Sequence, residues 1–124
     1  MSANRRTVLV IDDEPSVREV LSRFLAKAGY EVMTAADGQE ALQIVHSRKP
    51  PDVIILDLIM AGMSGFEVLS ALRVVPDWAQ IPVVVLTGTM GYSAAHLQAD
   101  ALLQKPFNFA TVQAAIEAAM AKHR

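Results

Sequence analysis

The 124-residue sequence contains no cysteine, so neither a disulfide framework nor a thiolate metal site is available to it, and it carries no redox mark of a compartment. Charge is sparse and balanced. Eleven basic and 13 acidic side chains leave a net charge of -2, without the basic surface nucleic acid would call for or the acidic tail of a disordered segment. Long hydrophobic runs are also missing. The apolar stretch behind Arg5 and Arg6 stops at Asp12, too short for a signal peptide, and no other run approaches the roughly 18 residues of a membrane span. There is no internal repeat, linker or low-complexity segment; the two Ala-rich stretches fit helix propensity. These absences lead us to expect a cytoplasmic protein with no nucleic-acid or membrane partner. With 52% apolar residues, the chain can bury one core, and residues 1–124 read as a single domain.

What is present is a series of short apolar runs ending on polar residues: Val8 to Ile11 before Asp12 and Asp13, Val53 to Leu56 before Asp57, Val83 to Leu86 before Thr87, and Ala101 to Gln104 before Lys105 and Pro106. Unbroken Val/Ile/Leu runs are the mark of parallel strands buried on both faces. Between the runs lie helical patterns. Pro15 opens one whose Val17, Val20, Leu21, Phe24, Leu25 and Ala28 form a stripe, and Gly29 stops it. A second strand over Tyr30 to Ala35 leads through the turn pair Asp37-Gly38 to a helix with Ala41, Leu42 and Val45 inward, closed by Pro50-Pro51. After Asp57 a glycine-containing loop enters a helix facing Phe66, Leu69 and Leu72 inward, followed by a connection in which Trp78 acts as a hydrophobic plug. Only 13 residues separate Thr87 from the next run, which predicts a short helix within Ser93 to Ala99. Asn108 is a good cap for a last helix burying Val112, Ala115, Ile116, Ala119 and Met120. Five alternations predict an α/β fold: a five-stranded parallel sheet, doubly wound, with helices on both faces.

Ligands of such sheets gather outside the carboxyl ends of the strands, so Asp12, Asp13, Asp57, Thr87 and Lys105 share one rim. Carboxylates brought close together must hold protons or recruit a cation, and oxygen ligands select Mg2+ or Ca2+ over zinc. A central aspartate can attack phosphorus to give an acyl phosphate, while a hydroxyl and an ammonium hold the phosphoryl oxygens. His46, His96 and His123 share no spacing and read as surface residues without a phosphoryl role, and the six methionines read as core filler, with Met60 and Met63 expected at the surface of the Asp57 loop.

The segments Asp12-Asp13-Glu14-Pro15, Asp57 to Gly65, Leu86-Thr87 and Lys105-Pro106-Phe107 together resemble the receiver domain of two-component response regulators over essentially the whole chain. The resemblance implies a flavodoxin-like (βα)5 fold of CheY type, with Asp57 as phosphoacceptor and Thr87 and Lys105 on the phosphoryl group. It implies Mg2+ bound by Asp12, Asp13, Asp57 and the backbone carbonyl of Ile59, and a cis peptide between Lys105 and Pro106. The implied donor is a histidine of a sensor kinase or phosphotransfer protein, with small acyl phosphates as substitutes.

Several positions depart from the family pattern. Leu102 stands where an aromatic is usual three residues before the lysine, Ala61 replaces a proline, and Gln98 replaces a glycine. The Thr87–Lys105 interval is shorter by roughly one helical turn, which predicts a short or irregular fourth helix. Gly88, Thr89 and Leu102 therefore belong to a modified switch and output face, running from Gly88 to Ala99 and on to the last helix. Ile59 and Thr89 flank the site without a carboxylate or amide to orient water, which predicts slow loss of the phosphoryl group.

The expected function is a stand-alone, single-domain response regulator that signals by protein–protein contact with a downstream target. It is not an enzyme beyond catalysing its own phosphorylation and dephosphorylation. Alternatives are a phosphorelay shuttle to a histidine phosphotransfer partner and a phosphorylation-independent binding scaffold. A haloacid-dehalogenase-type phosphatase would carry a second aspartate where Ile59 stands, and a flavodoxin-like cofactor binder would not place Asp12-Asp13-Glu14 against a phosphate.

Overall fold

A computed structural model describes residues 5–88 and 91–123. Among the described residues five strands and five helices alternate: β1 (Thr7–Ile11), α1 (Pro15–Lys27), β2 (Glu31–Ala35), α2 (Gly38–Ser47), β3 (Val53–Leu56), α3 (Gly65–Arg73), β4 (Val83–Thr87), α4 (Ala94–Leu97), β5 (Ala101–Gln104) and α5 (Phe109–Lys122). The sheet is parallel throughout in the order β2-β1-β3-β4-β5. Register across the centre pairs Ile11 with Leu56 and Leu56 with Val85, so the residues that follow β1 and β3 emerge side by side.

The period of two divides the apolar runs between two cores. Leu9, Ile11, Ile54, Leu56, Val83 and Val85 face one side, where Ala41, Val45, Val68, Leu72 and Trp78 cover them. Val8, Val10, Val53, Ile55, Val84 and Leu86 face the other, under Leu21, Leu25, Val112, Ile116 and Ala119 of α1 and α5. This explains why the central strands show no alternation in sequence: both faces are dry. Trp78 is buried and plugs the core beneath the α3–β4 connection.

Most of the sequence-based helix faces hold, with instructive exceptions. Val20 is 42% exposed and Ala28 lies at the exposed C-cap of α1, because the contact stripe of that helix is narrower than its apolar content. The Asp37-Gly38 pair is a helix start: Asp37 accepts the Glu40 N–H at 2.8 Å as the N-cap of α2, and β2 begins at Glu31. Met60 is buried and Met63 packs against the same core, so neither offers the exposed surface expected of it; Met63 fills the space over Gly38, where a β-carbon would strike it. Helix α4 is a single turn ended by Gln98 at φ 56°, a left-handed residue in a place where glycine carries no strain.

Candidate phosphoryl-acceptor site

Each rim residue is positioned by its own strand end. Asp12 follows β1, donates its N–H to the Ala35 carbonyl (3.2 Å), accepts the Glu14 N–H on Oδ1 (2.9 Å), and has its carbonyl bound by Arg18 Nη1 at 2.7 Å. Asp57 follows β3, donates its N–H to the Ile11 carbonyl (2.9 Å), and accepts the Ile59 N–H on Oδ1 (3.3 Å). Asp13 is half-buried and receives the Ala61 N–H at 3.2 Å, a bond that ties the first loop to the third. Gly65 opens α3 directly beneath: a β-carbon there would collide with the Asp57 carbonyl oxygen and Leu58 Cα. The close approach of helix to acceptor loop thus requires glycine, and Gly65 N–H donates to the Leu58 carbonyl at 2.8 Å.

Lys105 reaches the same point from β5. Its N–H donates to the Thr87 carbonyl (2.8 Å), and its peptide bond to Pro106 is cis. Its Nζ lies 2.7 Å from Glu14 Oε1, 3.0 Å from Asp12 Oδ2 and 3.5 Å from Asp57 Oδ2. Thr87 is buried at the end of β4. Ile59 projects its side chain outward, 53% exposed, above the Asp57 loop.

Electrostatics follow from this crowding. Burial and the neighbouring Asp12 charge push the Asp57 carboxyl above its ordinary range, against the opposing pull of Lys105. Burial disfavours the charge on Lys105, yet its hydrogen bonds to Glu14 and Asp12 and the fields of Asp12 and Asp57 hold it above its ordinary value. Carboxylate oxygens of Asp12, Asp13 and Asp57 all lie within 4.8 Å of one another. Three hard anionic oxygen donors, one of them destabilised as an anion, fit a divalent cation of the Mg2+ class.

A family profile described as the response regulator receiver domain matches residues 8–117. The chain belongs to that family. The receiver domain is 40% identical over 120 residues to the transcriptional regulatory protein KdpE of Mycobacterium tuberculosis, covering 94% of this chain and 51% of KdpE. It is 38% identical over 120 residues to the probable transcriptional regulator ycf27 of Cyanophora paradoxa, covering 94% and 48%. The chain therefore spans about half the length of the curated relatives it matches. Among solved structures it is similar to chemotaxis protein CheY4 of Vibrio cholerae, at 37% identity and TM-score 0.83, covering 93% of this chain and 98% of that one. It is also similar to response regulator TrrA of Thermotoga maritima in complex with Mg2+ and BeF, at 35% identity and TM-score 0.80, covering 91% and 97%.

The receiver domain brings Asp12, Asp13, Asp57 and Lys105 together, with Thr87 at the adjoining strand end. Of the switch residues, Gly88 is exposed, Leu102 is half-buried against the α2–α3 core, and Thr89 lies outside the described residues. Sequence reasoning gave no role to Glu14, although it follows Asp13 directly, and none to the ring contact of Phe66 with Tyr92 (centroids 5.2 Å apart). The histidines lie off the rim. His46 is exposed, His96 pairs with Ser93 Oγ at 2.9 Å, and His123 binds Asp100 Oδ2 at 2.7 Å, a link between α5 and the start of β5.

No helix among the described residues is long and apolar enough to cross a membrane.

Proposed function

We propose that Asp57 accepts a phosphoryl group from a phosphohistidine of a sensor kinase or phosphotransfer protein, and that the phosphorylated domain signals by binding a target protein. The observation that carries this reading is the convergence of three carboxylates within 4.8 Å, with the Lys105 ammonium 3.5 Å from the central one. An Asp57 oxygen attacks phosphorus in line, an O–P bond forms as the N–P bond breaks, and the donor imidazole, already protonated on its other ring nitrogen, leaves neutral with the N–P electron pair. Lys105 and the Thr87 hydroxyl hold the phosphoryl oxygens as they leave the donor. Asp12, Asp13, Asp57 and the Ile59 carbonyl would hold Mg2+, and the crystallised complex of TrrA with Mg2+ and BeF supports that assignment. Bound there, the cation supplies charge neutralisation for the incoming group. On this reading the domain catalyses only its own phosphorylation and dephosphorylation. The side chain of Ile59 cannot orient water, so the adduct is long-lived; a half-life of seconds in Mg2+ would count against that point.

Intact mass of the wild type and of Asp57→Ala after incubation with acetyl phosphate and Mg2+ tests the reading. A Mg2+-dependent phosphoryl adduct is expected in the wild type alone; its absence would leave a binding scaffold independent of phosphorylation. A relay role is the second reading, favoured by Leu102, which offers neither ring nor hydroxyl for coupling to Thr87. Return of the phosphoryl group to a histidine partner separates relay from switch. A receiver acting alone, like CheY4, and a receiver coupled to a transcriptional output, as the names of KdpE and ycf27 suggest for those proteins, are both compatible with this domain. The mass of the protein isolated from its source distinguishes these forms.

A further inference from the structure

The shortest ion pair made by Lys105 is with a carboxylate that the chemistry above leaves unused. Glu14 Oε1 stands 2.7 Å from Nζ, closer than Asp12 at 3.0 Å or Asp57 at 3.5 Å. Its backbone is well held: the N–H donates to Asp12 Oδ1, the carbonyl accepts from Val17 and Arg18, and Pro15 follows. Although Glu14 is the N-cap of α1, its side chain makes no capping bond. The carboxylate is thus the only part free to move, and its side chain is 56% exposed where those of Asp12 and Asp57 are buried.

An ammonium has three N–H donors, and here three carboxylates occupy them. A phosphoryl group on Asp57 needs at least one. The Asp12 carboxylate is buried and held on Oδ1 by the Glu14 N–H, so it cannot swing away, whereas that of Glu14 returns to solvent at small cost. Glu14 is therefore the contact that yields.

We propose that Glu14 is a positioning residue: it tethers Lys105 at the mouth of the site and competes with the incoming phosphoryl oxygen for the ammonium, so it sets how readily Asp57 becomes phosphorylated. The inference rests on Asp57 being the acceptor. Two measurements separate its failure from failure of that reading.

The first uses metal-free protein without any phosphodonor. A tethered Lys105 shows two distinct ε-proton resonances; these collapse toward one in Glu14→Gln, which keeps length but loses charge, and collapse only partly in Glu14→Asp. Unchanged ε-proton shifts in Glu14→Gln overturn the tether. The second measures adduct formation with acetyl phosphate and Mg2+. Glu14→Gln is expected to accelerate it about two- to fivefold, the change equivalent to one partly exposed ion pair. Glu19→Gln, on the exposed face of the same helix, removes the same charge and leaves the rate unchanged. Equal acceleration by both variants, or none by Glu14→Gln, overturns the competition. If the wild type forms no adduct, the acceptor reading falls, and the ε-proton spectrum alone decides whether Glu14 tethers Lys105.

Discussion

Two consecutive units of the sheet, β3–α3 and β4–α4, are built to opposite standards. Helix α3 runs nine residues, opens with a reciprocal capping box between Ser64 and Glu67, and buries Gly65, Val68, Leu69 and Leu72. Helix α4 runs four residues, is capped by Ser93 alone, buries none of its residues, and ends on the left-handed Gln98. The first unit carries Asp57 and holds it against the sheet; the second follows Thr87 and is held by little. A nucleophile must be fixed within a fraction of an ångström of its partners, whereas a responding segment needs a low cost of rearrangement. The unit that carries Asp57 is closely packed and doubly capped while the unit after Thr87 is not, which is the division of labour that the proposed chemistry and response would require.

The two units differ most at Gly65, where a β-carbon would meet backbone. Gly65→Ala forces a methyl into the backbone under Asp57 and is expected to cost about 2–3 kcal/mol in chemical denaturation. An Ala95→Gly change in the exposed turn of α4 costs less than about 1 kcal/mol; equal losses would remove the claimed asymmetry.

Asp57 adds a pH-dependent strain to the packed unit. Burial and the Asp12 charge raise its carboxyl in the folded state, so the native protein binds that proton more tightly than the unfolded chain. Metal-free stability therefore falls as pH rises from the ordinary carboxylate range through the raised value. Asp57→Asn removes this penalty. It should raise neutral-pH stability by about 1 kcal/mol, a gain that shrinks in acid and on adding Mg2+ to the wild type. A thermal melt series across pH with no such convergence would contradict the assigned repulsion.

The two serine caps contribute less. Ser64→Ala should cost about 1 kcal/mol and Ser93→Ala under about half of that, because the latter caps a helix with no buried face. Amide exchange should read the same contrast locally: protection in α3 is expected to drop in the first variant, while α4 is expected to exchange fast already in the wild type.

The elements were legible wherever local pattern encodes burial. Continuous apolar runs at residues 8–11, 53–56 and 83–86 mark central strands, and the 13 residues after Thr87 leave no room for a long helix. Contacts were less legible where the apolar supply exceeds the surface that needs it. Val20 is exposed although it lies in the apolar stripe, and Met63 is packed although it lies in a loop, since the helix crossing and the gap above Gly38 decide both.

By itself the sequence determined the fold class, the rim, and the identity of the residues gathered there, because strand length, alternation and chain order force the strand ends to one side of a parallel sheet. The tertiary structure alone decided how the charges are shared. Lys105 and Glu14 are 91 residues apart, and their contact depends on sheet register and on the path of two loops. Whether an ammonium rests on Asp57, Asp12 or Glu14 is a matter of less than 1 Å. Periodicity reports which face of an element is dry, and carries no information on distances that small between segments so far apart.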